Sequence, residues 1–308
     1  VRKSGTKLIT YDILLTINLR NIANNYLCRV SRFYAYFKAY IFSNVHVAIA
    51  GYCLTKITLL QYGFDTYISP LFVLFSIIFS YNFIRYLELE THEIDWFKEW
   101  YDQHKIGFFV LSVSALVGLV ILVFSSSISI GSLLVLLPFL LPTFFYVIPL
   151  CKRRGVTFSF RDFPGVKIYS IALCWAGVTV FFPLLAVGFQ LDSGVWWLFI
   201  QRVLILIVIT IPFDIRDVKK DPPSLRTLPQ LIGVGKSKGL ALLLLCFFLL
   251  LSLYRGDSLS GSVDADFLVA GITAFFVLFS SPKKSRYYTS FWVESIPVYW
   301  LMILSVLP

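Results

Sequence analysis

The chain has 308 residues, of which 58% are hydrophobic and only 14% charged, with a mean hydropathy of +0.79 and a formal net charge of +10 at pH 7. A soluble domain carries about a quarter charged residues, so a soluble globular fold is excluded. Apolar runs near the ~20 residues that carry a helix across a bilayer recur along the whole chain, whereas the ~10-residue alternating segments of a membrane barrel do not, so the expectation is an all-α integral membrane protein.

The first residues, VRKSGTKLITYDILL, contain no small-residue cleavage site, and no removable leader is expected. Residues 1–38 mix apolar and basic positions at helical spacing and read as an amphipathic segment lying in the membrane interface. Nine apolar spans follow in a single domain, 39–308. They cover 39–60, 66–87, 106–124, 128–150, 165–189, 195–213, 238–254, 266–281 and 290–307. All 27 Lys and Arg except Lys56, Arg202 and Arg255 fall before the first span or after the even-numbered ones. By the positive-inside rule that side is cytoplasmic, which puts the N-terminus inside and the C-terminus outside, as in a bacterial inner membrane. The excess positive charge is therefore mostly topology, and no nucleic-acid partner is expected. Five cysteines (Cys28, Cys53, Cys151, Cys174 and Cys246) are scattered without a CxxC pair and read as core fillers.

The segments after the second and sixth spans are long, charged and on the same membrane face. The first contains YNFIRYLELETHEIDWFKEWYDQHK, whose Trp96, Phe97, Trp100 and Tyr101 suggest an interfacial lid. His92 and His104 lie in it without zinc-ligand spacing. The second is IPFDIRDVKKDPPSLRTLPQLIG. At 100° per residue its Asp214, Asp217 and Asp221 fall within an arc of roughly 60°, before Pro222 and Pro223 end the helix. Three carboxylates on one stripe at a bilayer edge call for positive charge. That charge is either a hard cation such as Mg²⁺, shared with a substrate phosphate, or the neighbouring Arg216, Lys219 and Lys220 of a solvated helix end. GVGKSKG is not a phosphate-binding loop, because Gln230 stands where its first glycine belongs. Gln201 and Arg202 lie inside the sixth span. An intramembrane arginine is a functional candidate, but Arg202 is ~18 Å along the helix from Asp214, so it is expected to snorkel outward or to pair with Asp192.

The pattern DIRDVKKD…LRTLPQLIG resembles the second aspartate-rich motif of the UbiA-type intramembrane prenyltransferases. Asp217 and Asp221 stand at its DxxxD, Asp214 at the position before it, and Arg226-Thr227 at its Arg-Thr, with the gap from Asp221 to Arg226 about one residue short. YVIPLCKR resembles the family's pattern after the fourth helix through Tyr146, Pro149, Leu150, Lys152 and Arg153. FPGVKIYSIALCWAGVTVFFP resembles its fifth helix, with Lys167 at the cytoplasmic end and Trp175 and Thr179 inside. The first family motif, NDxxDxxxD, is diluted to YNFIRYLELE. Asn82 keeps its place, but Phe83 and Tyr86 replace acids, and Glu90 stands at the last position.

The resemblance implies a nine-helix bundle with a central cavity open to lipid, capped by cytoplasmic loops. It implies transfer of a polyprenyl group from an isoprenyl diphosphate to a small aromatic or other lipid-precursor acceptor, with one or two Mg²⁺ ions. Asp214, Asp217, Asp221, Asn82 and Glu90 would hold the metal. Arg85, Lys152, Arg153, Lys167 and Arg226 would bind diphosphate. Asp217, Asp221, Lys152 and Tyr146 would act in the chemistry. Arg85, on the wheel near −60° from Asn82, is placed to replace one metal ion with a guanidinium. The alternatives are a non-catalytic relative that binds a polyprenyl lipid or a protein, and an unrelated transporter. Against transport, the charges gather at helix ends and not at mid-membrane.

Overall fold

The computed structural model describes residues 33–91, 95–125, 128–139, 151–153, 156–158, 165–256 and 262–307. Two compact units divide after Ser43. In the first, residues 33–42 form a helix on which Lys38 Nζ lies 5.3 Å from the Phe42 ring centre.

The second unit is a helical bundle. Its elements are α1 (Val45–Gln61), α2 (Ile68–Thr91), α3 (Asp95–Phe124), α4 (Ile130–Leu134), α5 (Val166–Ala186), α6 (Ser193–Asp217), α7 (Leu228–Ile232), α8 (Val234–Arg255), α9 (Ser262–Leu278) and α10 (Ile296–Val306). A π-helical turn, Tyr288–Val293, precedes α10. Six helical segments are long and apolar enough to cross a membrane among the described residues: Ile68–Leu87, Phe97–Phe124, Lys167–Ala186, Ser193–Asp217, Val234–Arg255 and Tyr288–Val306. That is the signature of a multi-pass membrane protein.

Local chemistry separates these six from the nine expected spans. The first expected span is broken at Ser43–Asn44, where Asn44 turns left-handed with φ 61°, leaving 17 residues in α1, about 25 Å of helix. The ninth expected span is present as Tyr288–Val306, a π turn leading into α10. The eighth is α9, with 17 residues, and of the fourth only residues 128–139, which include α4, lie among the described residues. The lid segment is no separate element. With no proline between Asp95 and Ile106, it runs straight into the next span as the first turns of α3. There Phe97 and Trp100 are buried, and His104 stacks on Trp100 while its Nδ1 lies 2.9 Å from Trp100 O. Among the described residues one short antiparallel strand pair, β1 (Cys151–Arg153) with β2 (Val156–Phe158), departs from helix and sets Lys152 opposite Thr157.

α6 is the axis of the bundle, packed against α5, α7, α8, α9 and the π turn. Its apolar face, including Ile205, Val208, Ile211 and Ile215, is fully buried. α1, α2 and α5 close the other side, meeting where Gly51 lets Ile77 and Trp175 approach. A Cβ at Gly51 would sit 2.2 Å from Ile77 Cδ1 and 3.3 Å from Trp175 Cζ3. α3 is the opposite case. Most of its apolar surface faces outward, with Ile106, Phe109, Ile121 and Phe124 exposed, as lipid contact requires.

Arg202 does not behave as the sequence suggests. It has no exposed surface. Its Nη1 donates to Leu54 O and its Nη2 to Thr58 Oγ1, each at 3.1 Å, and its guanidinium lies 4.7 Å from the Trp300 ring centre. Asp192 instead caps α6 by accepting from Val195 N at 3.0 Å. The interior offers Arg202 a carbonyl, a hydroxyl and an aromatic face, so it has no need of the surface. Beside it Asp266 accepts from Gln201 Nε2 at 2.9 Å and from Ser252 Oγ at 2.6 Å. This polar brace joins five helices. Arg202→Ala removes two charge-assisted hydrogen bonds and a ring contact, worth about 2–4 kcal/mol together. The expected result is a clear fall in the melting temperature of the detergent-solubilised protein, followed by size exclusion after heat steps.

Candidate functional site

α6 carries Asp214 and Asp217 on its last turn, and one further backbone turn reaches Asp221, whose N–H donates to Asp217 O at 2.8 Å. The three aspartates expected on one face are thus close in the chain's path, but regular helix ends at Asp217 and they do not share one partner. Asp214 is almost wholly buried, with 2% of its side chain exposed. A lone carboxylate there would pay a large desolvation cost. Lys167, on the first turn of α5, meets it: Nζ lies 3.0 Å from Asp214 Oδ1 and 3.4 Å from Asp221 Oδ2. Two of the three carboxylates thus converge on one positive centre.

Asp217 faces the other way, into the fork of Arg216. Nε donates to Oδ1 at 3.0 Å and Nη2 to Oδ2. Arg216 is itself anchored, its Nη1 donating to Thr289 Oγ1 and to Ser290 Oγ on the π turn. Arg286 stands just before that turn, its carbonyl accepting from Thr289 Oγ1 at 3.1 Å. Burial, then the nearby Arg216 and Arg85 guanidiniums, hold the Arg286 pKa below the ordinary arginine value, with Asp217 opposing them. Arg85, Arg216, Arg286 and Asp217 therefore share one electrostatic neighbourhood. The Arg85 guanidinium lies 5.1 Å from the Phe97 ring centre.

The loop after Asp221 is stitched in place. Gln230 Nε2 donates to Asp221 O at 2.9 Å, and its Oε1 accepts from Thr227 N at 3.0 Å. Gly165, at φ 73° just before α5, donates its N–H to Leu225 O at 3.3 Å. That bond ties the start of α5, and so Lys167, to the far side of the aspartate loop. Arg226 is exposed and left-handed at φ 43°.

Asn82 is buried on α2, its Oδ1 accepting from Asn44 Nδ2 at 2.8 Å and its Nδ2 donating to Ser112 Oγ at 3.1 Å. Ligation of a metal by Asn82 would require the first of these bonds to open. Trp175 Nε1 donates to Tyr81 OH at 3.2 Å, and Thr179 is buried within α5. Tyr146 and the side chains of Lys152, Arg153 and Glu90 lie outside the described residues. Among the described residues no cluster of three or more His, Cys, Asp or Glu forms a ready-made metal cage. Arg286, Thr289 and Gln230 were not foreseen as parts of this site. Gln230 was legible as the partner of Thr227 in a T-x-x-Q capping box; the π turn leaves no such trace.

Removing Lys167 while leaving Asp214 strands a buried charge, expected to cost about 3–5 kcal/mol. Lys167→Met should therefore lower stability more than the Lys167→Met/Asp214→Asn double variant does. A thermal-unfolding double-mutant cycle giving simple additivity would contradict the pairing. No protein-family model, curated protein or solved structure matches the chain.

Proposed function

We propose that the protein is a Mg²⁺-dependent membrane prenyltransferase of the UbiA type. It would transfer a polyprenyl group from an isoprenyl diphosphate to a small aromatic or other lipid-precursor acceptor at the cytoplasmic face of a bacterial inner membrane. The observation that carries this reading is the convergence of Asp214 and Asp221, from the end of an apolar helix, on a single cation, with Asp217 one turn away. Supporting it are the order of the motifs and the apolar, aromatic-rich helices that a long hydrocarbon tail needs.

The donor set fits a hard divalent cation. Two carboxylates already meet about one positive charge, and Mg²⁺ is usually held by one or two carboxylates, water and substrate phosphate, not by an all-protein cage. Asp214, Asp217 and Asp221 would hold it. Bound there, Mg²⁺ would neutralise charge developing on the departing pyrophosphate. Lys167 and Arg216 supply charge-assisted hydrogen bonds to diphosphate oxygens, and Arg85 and Arg286 add positive potential beside them. The donor's C1–O bond breaks, pyrophosphate leaves with the electron pair, and the acceptor forms the new bond to C1 and gives up its proton to water. The bundle excludes water from the allylic cation, and aromatic faces stabilise it.

A second reading, a non-catalytic relative that binds a polyprenyl lipid or a protein partner, draws on one observation. Each motif aspartate already has a Lys or Arg partner, while Tyr86 stands where the first motif expects an acid. One assay separates the two. Purified protein is incubated with Mg²⁺, an acceptor panel and isoprenyl diphosphates of several lengths. Pyrophosphate release that falls about 10²–10³-fold in Asp217→Ala and Asp221→Ala is the expected result. Arg85→Ala should raise the KM for the donor about 10-fold, the loss of one charge-assisted contact. Silence with every donor and acceptor would favour the binding protein.

A further inference from the structure

Lys167 is in an odd place for a lysine. It occupies the first turn of α5, where the helix dipole repels positive charge. Its own helix gives it no reason to be there; Asp214 and Asp221 do. The three side chains also differ in freedom. Asp214 is 2% exposed and Asp221 19%, whereas Lys167 is 25% exposed on a flexible four-carbon stem. If one member of the group moves, it is the lysine. Arg216 contrasts with it, since its hydrogen bonds to Thr289 and Ser290 fix the guanidinium on the π turn.

The Lys167 ammonium also stands within hydrogen-bond reach of both carboxylates. A divalent cation held by the same two groups would meet that ammonium at close range, and in a partly dry site such repulsion is severe. Metal and ammonium are therefore alternatives. On the reading of this end of α6 as a metal–diphosphate site, we propose that Lys167 is a built-in counter-cation: it holds the Asp214–Asp221 pair in place of a divalent metal and yields that place when a diphosphate arrives. A diphosphate solves both halves of the exchange. Its oxygens give the lysine a new partner, and they complete the coordination that two carboxylates leave open. Metal and diphosphate binding are then mutually dependent, each raising the affinity of the other by the same factor. The aspartates do not gather stray divalent ions in the absence of substrate.

The test measures binding, not turnover. Mn²⁺ is titrated into the full-length protein in nanodiscs and followed by electron paramagnetic resonance, first as the bare ion and then as the preformed Mn²⁺–pyrophosphate complex. The wild type should bind the complex at least about tenfold more tightly than the bare ion. Lys167→Gln should bind the bare ion about tenfold more tightly than the wild type and the complex more weakly, which removes the preference; the tenfold step is the scale of a typical coupling. Lys167→Arg, which keeps the charge, should still suppress bare-ion binding. Unchanged affinities in Lys167→Gln, or a loss of both, would overturn the proposal, because the lysine would then be inert or would merely order the carboxylates. Should Lys167→Gln fail to fold, Lys167→Ala is purified in Mg²⁺ and in Na⁺ at equal ionic strength. Recovery of folded protein only with Mg²⁺ supports the exchange, and any cation-independent outcome, including no recovery, overturns it. The exchange and the transferase reading fail separately. The expected Mn²⁺ pattern without pyrophosphate release from any isoprenyl diphosphate leaves the exchange standing alone. Transferase activity with no Mn²⁺ effect at Lys167 does the reverse.

Discussion

A carboxylate buried at the end of an apolar helix is the constraint on which this end of the molecule is built. Asp214 lies on the same helix as Ile211 and Ile215, both buried, so it cannot turn to water without pulling the helix out of its packing. It must be met where it is. Lys167 meets it from α5, and the meeting has structural consequences. It fixes the rotation of α5 against α6, the pair with the most extensive contact in the bundle, and it draws Asp221 back over the helix end. The loop beyond follows, held by Gln230 and by the bond from Gly165 to Leu225.

The two ends of α6 handle buried charge in different ways. In the N-terminal half of α6, Arg202 and the neighbouring Asp266 are met by a carbonyl, hydroxyls, an amide and an indole ring, with Arg202 Nε and Asp266 Oδ1 left without a hydrogen bond. These are neutral partners in a tightly packed junction, suited to holding helices together. At the other end the partners are charged, paired in opposite signs and partly open to solvent. Charged partners of this kind can be traded for a ligand, whereas a carbonyl locked in a helix cannot. The difference explains why chemistry is sought at Asp214 and not at Arg202, although both are ionisable groups buried in an apolar chain.

Much of this was legible in the sequence. Hydropathy located the long helices, because burial in lipid demands unbroken apolar runs. The spacing of Asp214, Asp217 and Asp221 located the carboxylate face, because helical periodicity is local. Arg216 does pair with Asp217, as a plain helix end would have it, while Asp214 and Asp221 share a lysine partner 47 and 54 residues away in the chain. What stayed hidden was non-local. Arg202 reaches Leu54 and Thr58 across nearly half the chain, and no pattern around position 202 announces them. The π turn at Tyr288–Val293 packs against α6 and α9, elements distant from it in the chain. The break at Asn44 is a single left-handed residue in an otherwise continuous apolar run.

The short stretch from Asp221 to Thr227 acts as a ruler. Two prolines, a 3-10 turn at Pro223–Leu225 and a left-handed Arg226 give it a fixed length. One end is set against α6 and, through Leu225, the other is set against the start of α5. The distance between a lysine and two aspartates on different helices is thus written into the number of residues in a surface loop. A change of one residue there would shift the electrostatic balance of the site without touching any group that carries charge.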